Sequence, residues 1–114
     1  MSHTKSPSII EILDEAGSRQ AFRVTANGER QYLARYSVGL LAAVRHAYTL
    51  QAQYVIAIEK RSGTLGNGKP WYATVYDRGI GPVGGFQGSS IVSVQQQAVA
   101  DIQRQEGLLR RWEA

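Results

Sequence analysis

Aromatic and basic side chains along strand-like segments are the residues of this sequence with the clearest potential chemistry. The aromatic set consists of two pairs of tyrosines, each pair spaced four residues apart: Tyr32 and Tyr36, Tyr72 and Tyr76. The basic set lies along or at the ends of the strand-like segments: Arg23, Arg30, Arg35, Lys69 and Arg78. Because side chains alternate between the two faces of a strand, each tyrosine pair is expected to share one face. Rings that stack on bases beside arginines that hold phosphates are typical of sheet surfaces that bind single strands, so these residues are predicted to form a nucleic-acid site.

Two other interpretations fit the same residues. Tyrosine is favoured in strands, and cross-strand aromatic pairs stabilise sheets, so packing alone is a strong alternative explanation of the rings. The dipeptide Asn27-Gly28 is typical of a tight β-hairpin, and a two-stranded ribbon fits the major groove of duplex DNA. In that mode Arg23, Arg30 and Arg35 would contact guanine edges.

No group of residues in the sequence indicates catalysis or a bound metal. The chain has no cysteine and two histidines, and His46 has no carboxylate nearby at the spacing of metal ligands. Glu59, Asp77 and Asp101 have side chains suited to acid–base chemistry, but their spacing does not force any two of them together. We therefore predict no enzyme activity, no cofactor and no metal site.

The charge of the chain favours a polyanionic partner. Lysine and arginine total 13 against 9 acidic residues, for a net charge of +4. The excess lies between residues 17 and 88, which hold nine cations and three anions. No apolar run approaches the roughly 20 residues that a membrane span needs, and the first 20 residues lack the core of a signal peptide. With the absence of cysteine, these features predict a cytoplasmic protein that does not enter a membrane.

A ten-residue pattern, N-G-x-x-x-Y-x-x-x-Y, occurs at residues 27–36 and again at 67–76. Each copy follows a strand-like run and precedes a helix-like run, which predicts two ββα units. Strands are predicted at 20–26, 30–36, 53–60 and 70–77, and helices at 38–51 and from 89 or 90 to about 112. Ser6, Pro7 and Gly17 delimit a short N-terminal helix, and the glycine-rich segment 78–88 is expected to be a loop.

Together these elements predict an α+β fold, with a four-stranded, mainly antiparallel sheet and helices packed on one face. Residues 1–6 are expected to form a disordered tail, and residues 7–114 a single domain. The middle helix carries almost no charge opposite its apolar stripe, which suggests contact between two subunits of a homodimer.

The function that these features predict is a small, basic nucleic-acid-binding protein without catalysis, with DNA favoured over RNA. It would serve as a regulatory or accessory protein and act as a homodimer. The competing prediction is a protein–protein interaction module or inhibitor, such as an accessory protein of a mobile element. That alternative requires an apolar patch centred on large aromatic residues such as Trp71, Phe86 or Trp112.

Overall fold

A computed structural model describes residues 8–15, 17–25, 29–61 and 68–113 of the chain, with side chains through residue 107. In chain order the elements are β1 (Ile9–Glu15), β2 (Ser18–Val24), β3 (Arg30–Tyr36), α1 (Leu40–Thr49), β4 (Tyr54–Lys60), β5 (Trp71–Asp77), β6 (Gly81–Gly88) and α2 (Ile91–Glu113). The predicted tail, residues 1–6, falls outside the described residues.

These strands form one six-stranded mixed sheet in the order β3-β2-β1-β4-β5-β6. β1 and β4 lie side by side at its centre and are parallel, whereas the other neighbouring strands are antiparallel. The predicted four-stranded, mainly antiparallel sheet is wrong, because β1 and β6 are strands that the sequence pattern did not indicate. The predicted antiparallel pairing of β2 with β3 is confirmed.

Two consecutive βββα units build this sheet. In each unit three antiparallel strands are followed by a helix, and the parallel pairing of the first strands, β1 and β4, joins the units. The predicted ββα repeat is wrong, since its two copies match β3 with β5. One is the third strand of its unit and the other is the second. Residues 26–28 and 62–67, which include both asparagines of the pattern, lie outside the described residues.

The two helices pack on opposite faces of the sheet, not on one face as predicted. On the face that we call the α1 side, Val44 and Ala47 of α1 are buried against the sheet. The strand residues of that cluster are Ile10, Ile12, Ala21, Val55 and Ala57. On the other face, the α2 side, Val94 and Ala98 of α2 are buried in the same way. Their strand partners are Ile9, Leu13, Val24, Tyr54, Ile56, Ile58, Ala73 and Val75. Because β1 and β4 are apolar on both faces, each face needs a covering layer.

Residues 9–15 form a strand where the sequence predicts a short helix. Ile9, Ile10 and Leu13 fit a helical stripe as well as they fit a strand that is buried on both faces. Tertiary context decides in favour of the strand, because β1 is hydrogen-bonded to β2 on one side and to β4 on the other. Glu11 is fully buried in the middle of β1, and so polar a residue is rare at such a position.

Residues 81–88 form an edge strand where the sequence predicts a loop. Glycine weakens a strand, but at two positions here a close neighbour requires it. A Cβ atom on Gly85 would lie 2.2 Å from the Tyr72 hydroxyl, and one on Gly88 would lie 2.8 Å from Oγ of Ser93 in α2. Two of the glycines in β6 are therefore explained by close packing against β5 and α2.

Side-chain hydrogen bonds hold the second helix, α2, at its N-terminus and again at Glu106. The Ser90 hydroxyl accepts a hydrogen bond from the Ser93 backbone N–H at 3.1 Å, which confirms Ser90 as the N-cap. The Tyr54 hydroxyl of β4 donates to Glu106 of α2 at 2.8 Å. In the described part of the chain, neither helix has the length together with the hydropathy needed to cross a membrane.

Candidate nucleic-acid interface

One half of the α1 side of the sheet is largely uncovered. Among the described residues, α1 makes its main contacts with β1, β2 and β4, so β5 and β6 extend beyond it. Ala73 and Val75 face the α2 side, and the side chains that alternate with them face the open half. The residues that form this open half, which we call the β5–β6 surface, are Tyr72, Thr74, Tyr76, Gly85 and Gln87.

Tyr72 lies flat across the neighbouring strand at one end of the β5–β6 surface. Its hydroxyl occupies the space that a side chain at Gly85 would need. The Arg61 guanidinium covers the ring, with its carbon 3.7 Å from the ring centroid, and pairs with Glu59 at 3.1 Å. A planar cation stacked on a partly exposed ring is an arrangement that a nucleobase can also adopt.

A second arginine and two further tyrosines occupy the opposite end of the surface. Tyr76 packs at the border of the α1 cluster together with Tyr48 of α1. The exposed Arg78 donates a hydrogen bond to the Tyr48 carbonyl and holds its guanidinium 5.8 Å from the Tyr48 ring. Burial raises the pKa of Tyr48, and the nearby charges of Asp77 and Tyr76 raise it further while Arg78 opposes them, so the phenol stays neutral at physiological pH. Tyr72 and Tyr76 are four residues apart, or about 13 Å along the strand.

The edge strand on the other side of the molecule carries a second group of predicted residues. Tyr32 is 56% exposed, and its ring meets Phe22 edge to face at a centroid distance of 5.8 Å. Arg30 and Arg35 share this face with Tyr32, because they pair with Val24 and Gln20 of β2. We call Phe22, Arg30, Tyr32 and Arg35 the β3 surface; it lies on the α2 side of the sheet, since Phe22 packs against the α2-side cluster.

Beneath the β3 surface lies a buried carboxylate. The Arg30 guanidinium forms an ion pair with Glu11 and stacks over the Phe22 ring at 3.9 Å. Burial raises the pKa of Glu11, while the charge of Arg30 and hydrogen bonds from Arg30 and Gln95 act in the opposite direction. Arg30 is therefore held in place by groups below and beside it.

Tyr32 and Tyr36 lie on opposite faces of the sheet, contrary to the expectation from strand alternation. The register of β3 shifts between its pairs with Ala21 and Phe22, so that Leu33 is an extra residue in β3. This β-bulge reverses the alternation on either side of it. Tyr36 turns to the α1 side, where its hydroxyl lies 2.7 Å from Nδ1 of His46.

The predicted residues therefore do not form one site. Tyr72, Tyr76 and Arg78 belong to the β5–β6 surface, whereas Arg30, Tyr32 and Arg35 belong to the β3 surface on the opposite face. Arg23 donates to the Ser8 hydroxyl at 3.1 Å, and Lys69 is exposed just before β5. Sequence reasoning left Arg61 out of the predicted phosphate contacts and missed Gly85 at the first surface. Arg61 follows a strand directly, which is the signal that would have identified it.

In the described ranges, no three or more His, Cys, Asp or Glu residues are grouped so as to hold a metal ion. Searches of protein families, of curated proteins and of solved structures found no match to this chain.

Proposed function

We propose that this protein binds single-stranded nucleic acid on the β5–β6 surface, with DNA preferred to RNA, and that it does so without catalysing a reaction. One observation carries the proposal: a half-open sheet face presents Tyr72 and Tyr76 between two arginines, Arg61 and Arg78. The absence of cysteine fits a reducing compartment, and we place this activity in the cytoplasm.

The tyrosine rings supply the contacts with bases in this proposal. Stacking of a base on an aromatic side chain contributes about 1–3 kcal/mol and tolerates any base, because every base has a π-face. Arg61 already stacks on the Tyr72 ring, so a bound base would displace it, and the displaced guanidinium would pair with a phosphate. Arg78 would hold a phosphate at the other end, where its charge is exposed to solvent.

The position of β2 in the sheet favours single strands over groove reading in duplex DNA. A ribbon that enters the major groove must be free on both sides. β2 is hydrogen-bonded to β1 as well as to β3, so the β2–β3 pair is part of a wide sheet. A broad sheet face with aromatic side chains suits unpaired bases instead.

Replacing Arg61 and Arg78 together with alanine is expected to weaken single-strand binding and to flatten its dependence on salt. Each phosphate contact with a single strand contributes about 0.7 to the slope of log K against log salt concentration, so losing two contacts lowers the slope by about 1.4. Fluorescence anisotropy of a labelled oligonucleotide at several salt concentrations measures both effects. Arg104→Ala is the control for the loss of one surface charge, because Arg104 is an exposed arginine of α2 that pairs with Asp101, as Arg61 pairs with Glu59. Equal slopes for the double variant and the control would contradict the proposed contacts.

Homodimer formation through α1 is a second part of the proposal. Leu41 is 61% and Val38 is 45% exposed; Leu41 lies in the first turn of α1, and Val38 precedes its N-cap, Gly39. The sheet edges are protected against pairing with another chain by the bulge in β3 and by Pro82 in β6. In sedimentation velocity we expect a dimer of the 12.5 kDa chain and a monomer for Leu41→Lys. A natural chain that stays monomeric at high concentration would refute the dimer.

The competing function, a protein-interaction module, receives less support from its proposed anchors. Trp71 and Phe86 are half-buried and pack against the α2-side cluster, so neither ring stands out as a hot spot. The side chain of the third anchor, Trp112, lies outside the described residues. If the chain bound none of the nucleic acids tested, the exposed Leu41 and Val38 would remain as a surface for a protein partner, which would favour this alternative.

A further inference from the structure

The two βββα units leave equivalent parts of the sheet open, but on opposite faces. α1 closes the first unit on one side of the sheet, and α2 closes the second unit on the other. α2 makes its main contacts with β4, β5 and β6, so on its own side it leaves the outermost strand of the first unit, β3, open. The β3 surface and the β5–β6 surface are thus the two open ends of one sheet.

Both open ends carry the same chemistry. Tyr32 is the more exposed of the tyrosines at these ends, since over half of its surface meets solvent whereas Tyr72 is half-buried. Arg30 is fixed by Glu11 and Phe22, and it holds the Phe22 ring against which Tyr32 rests. The aromatic platform is therefore rigid, as a stacking site requires.

A cleft next to Arg35 provides room for a phosphate. The cleft has a volume of about 320 Å³ and is lined by Gly17, Ser18, Arg35, Tyr36 and Ser37. Guanidinium and hydroxyl groups are donors that phosphate oxygens accept. The cleft lies at the end of β3 three residues beyond Tyr32, so a strand stacked on Tyr32 would bring a neighbouring phosphate to it.

We infer that the β3 surface is a second binding site for single-stranded nucleic acid, so that one chain holds two strands, one on each face of its sheet. This inference rests on the proposed function of the β5–β6 surface. β3 and β5 are separated by four strand spacings, about 19 Å, in addition to facing in opposite directions. A short oligonucleotide cannot occupy both sites, whereas a long strand or two different strands can be held together by one chain.

Native mass spectrometry with a short oligothymidylate of about six nucleotides, a length within the usual range for one site, counts the strands bound by each chain. We expect two strands per chain for the natural protein at saturation. Tyr32→Ala with Arg35→Ala, and separately Tyr72→Leu with Arg61→Ala, should each reduce the number to one. Arg30 is left unchanged because its loss would expose the buried Glu11 carboxylate.

The count separates the failure of this inference from the failure of the proposed function. One strand per natural chain, with unchanged binding by the Tyr32→Ala and Arg35→Ala variant, would overturn the second site and leave the β5–β6 site standing. No strand bound by the natural chain would overturn both. Because the count is made per chain, it gives the same result for a monomer and for a dimer. Arg35→Ala alone serves as a second variant, since it removes the proposed phosphate contact and leaves the Phe22 and Tyr32 rings in place.

Discussion

Tyr72→Leu is expected to weaken the binding of single-stranded DNA by about 5- to 150-fold, the range that corresponds to the loss of about 1–3 kcal/mol of stacking. The Tyr72 ring lies over Gly85 and beneath Arg61, so its face is a platform on which a base can stack. Leucine keeps an apolar side chain on the strand but has no π-face to offer a base. Fluorescence anisotropy at constant salt gives the change in dissociation constant.

Tyr72→Phe is the matched control for this experiment. It retains the ring and removes the hydroxyl that reaches over β6, so we expect binding close to that of the natural chain. If the leucine and phenylalanine variants bound equally well, the ring would have no role in binding. The Tyr72 side chain would then serve only to pack β5 against β6.

Glu11→Ala is expected to lower the free energy of unfolding by about 3 kcal/mol at neutral pH, the low end of the range for breaking a buried ion pair. Glu11 is completely buried, whereas the side chain of its partner Arg30 is 32% exposed. The guanidinium can therefore turn toward water when the carboxylate is removed, which reduces the penalty. Urea denaturation of the two proteins measures the difference.

The same carboxylate makes stability depend on pH in a direction that can be tested with Glu11→Gln. Burial raises the pKa of Glu11 above its usual value of 4.5, so the folded chain binds this proton more tightly than the unfolded chain does. The part of the stability that comes from this tighter proton binding is therefore complete below about pH 4.5 and is lost as the pH rises through the raised value, whereas the ion pair with Arg30 and the packing of the side chain remain. Relative to Glu11→Gln, the natural protein should become less stable as the pH rises above about 4.5, the usual value for the unfolded chain.

Glu15→Gln is the control for this pH dependence, since it changes an exposed carboxylate at the end of the same strand and retains Glu11. We expect it to follow the natural protein across the pH range. If the difference in unfolding free energy between the natural protein and Glu11→Gln were the same at every pH, the prediction would be contradicted. The effect of burial on the pKa of Glu11 would then be balanced by Arg30 and Gln95.

Sequence patterns predicted β5, whose side chains alternate between core and solvent, β3, which follows a hairpin signal, and β4, whose consecutive apolar residues are typical of a central strand. β3 was located at its observed bounds, β4 and β5 within a residue of theirs, and α2 by its Ser90 cap. The two missed strands carry no such clear signal. β1 is buried on both faces and carries Glu11 at its centre, and β6 is so rich in glycine that its pattern resembles a loop.

The candidate sites were predicted in their residue types but not in their arrangement. Alternation correctly put Tyr72 and Tyr76 on one face, because β5 pairs with β4 without a break. It failed for Tyr32 and Tyr36, since the bulge at Leu33 leaves no trace in the order of apolar and polar residues. Which face of the sheet each helix covers depends on long-range packing. The sequence pattern therefore could not predict that the tyrosines and arginines are divided between two surfaces.

The central claim is tested most directly by titrating the natural protein into labelled single-stranded DNA, duplex DNA and single-stranded RNA at about 50 and 200 mM salt, concentrations between which phosphate contacts weaken measurably. We predict that single-stranded DNA binds most tightly and that its affinity falls steeply at the higher salt concentration. Preferred binding of the duplex would contradict the sheet-surface mode, and no binding to any of the three at micromolar protein would contradict the proposed function as a whole.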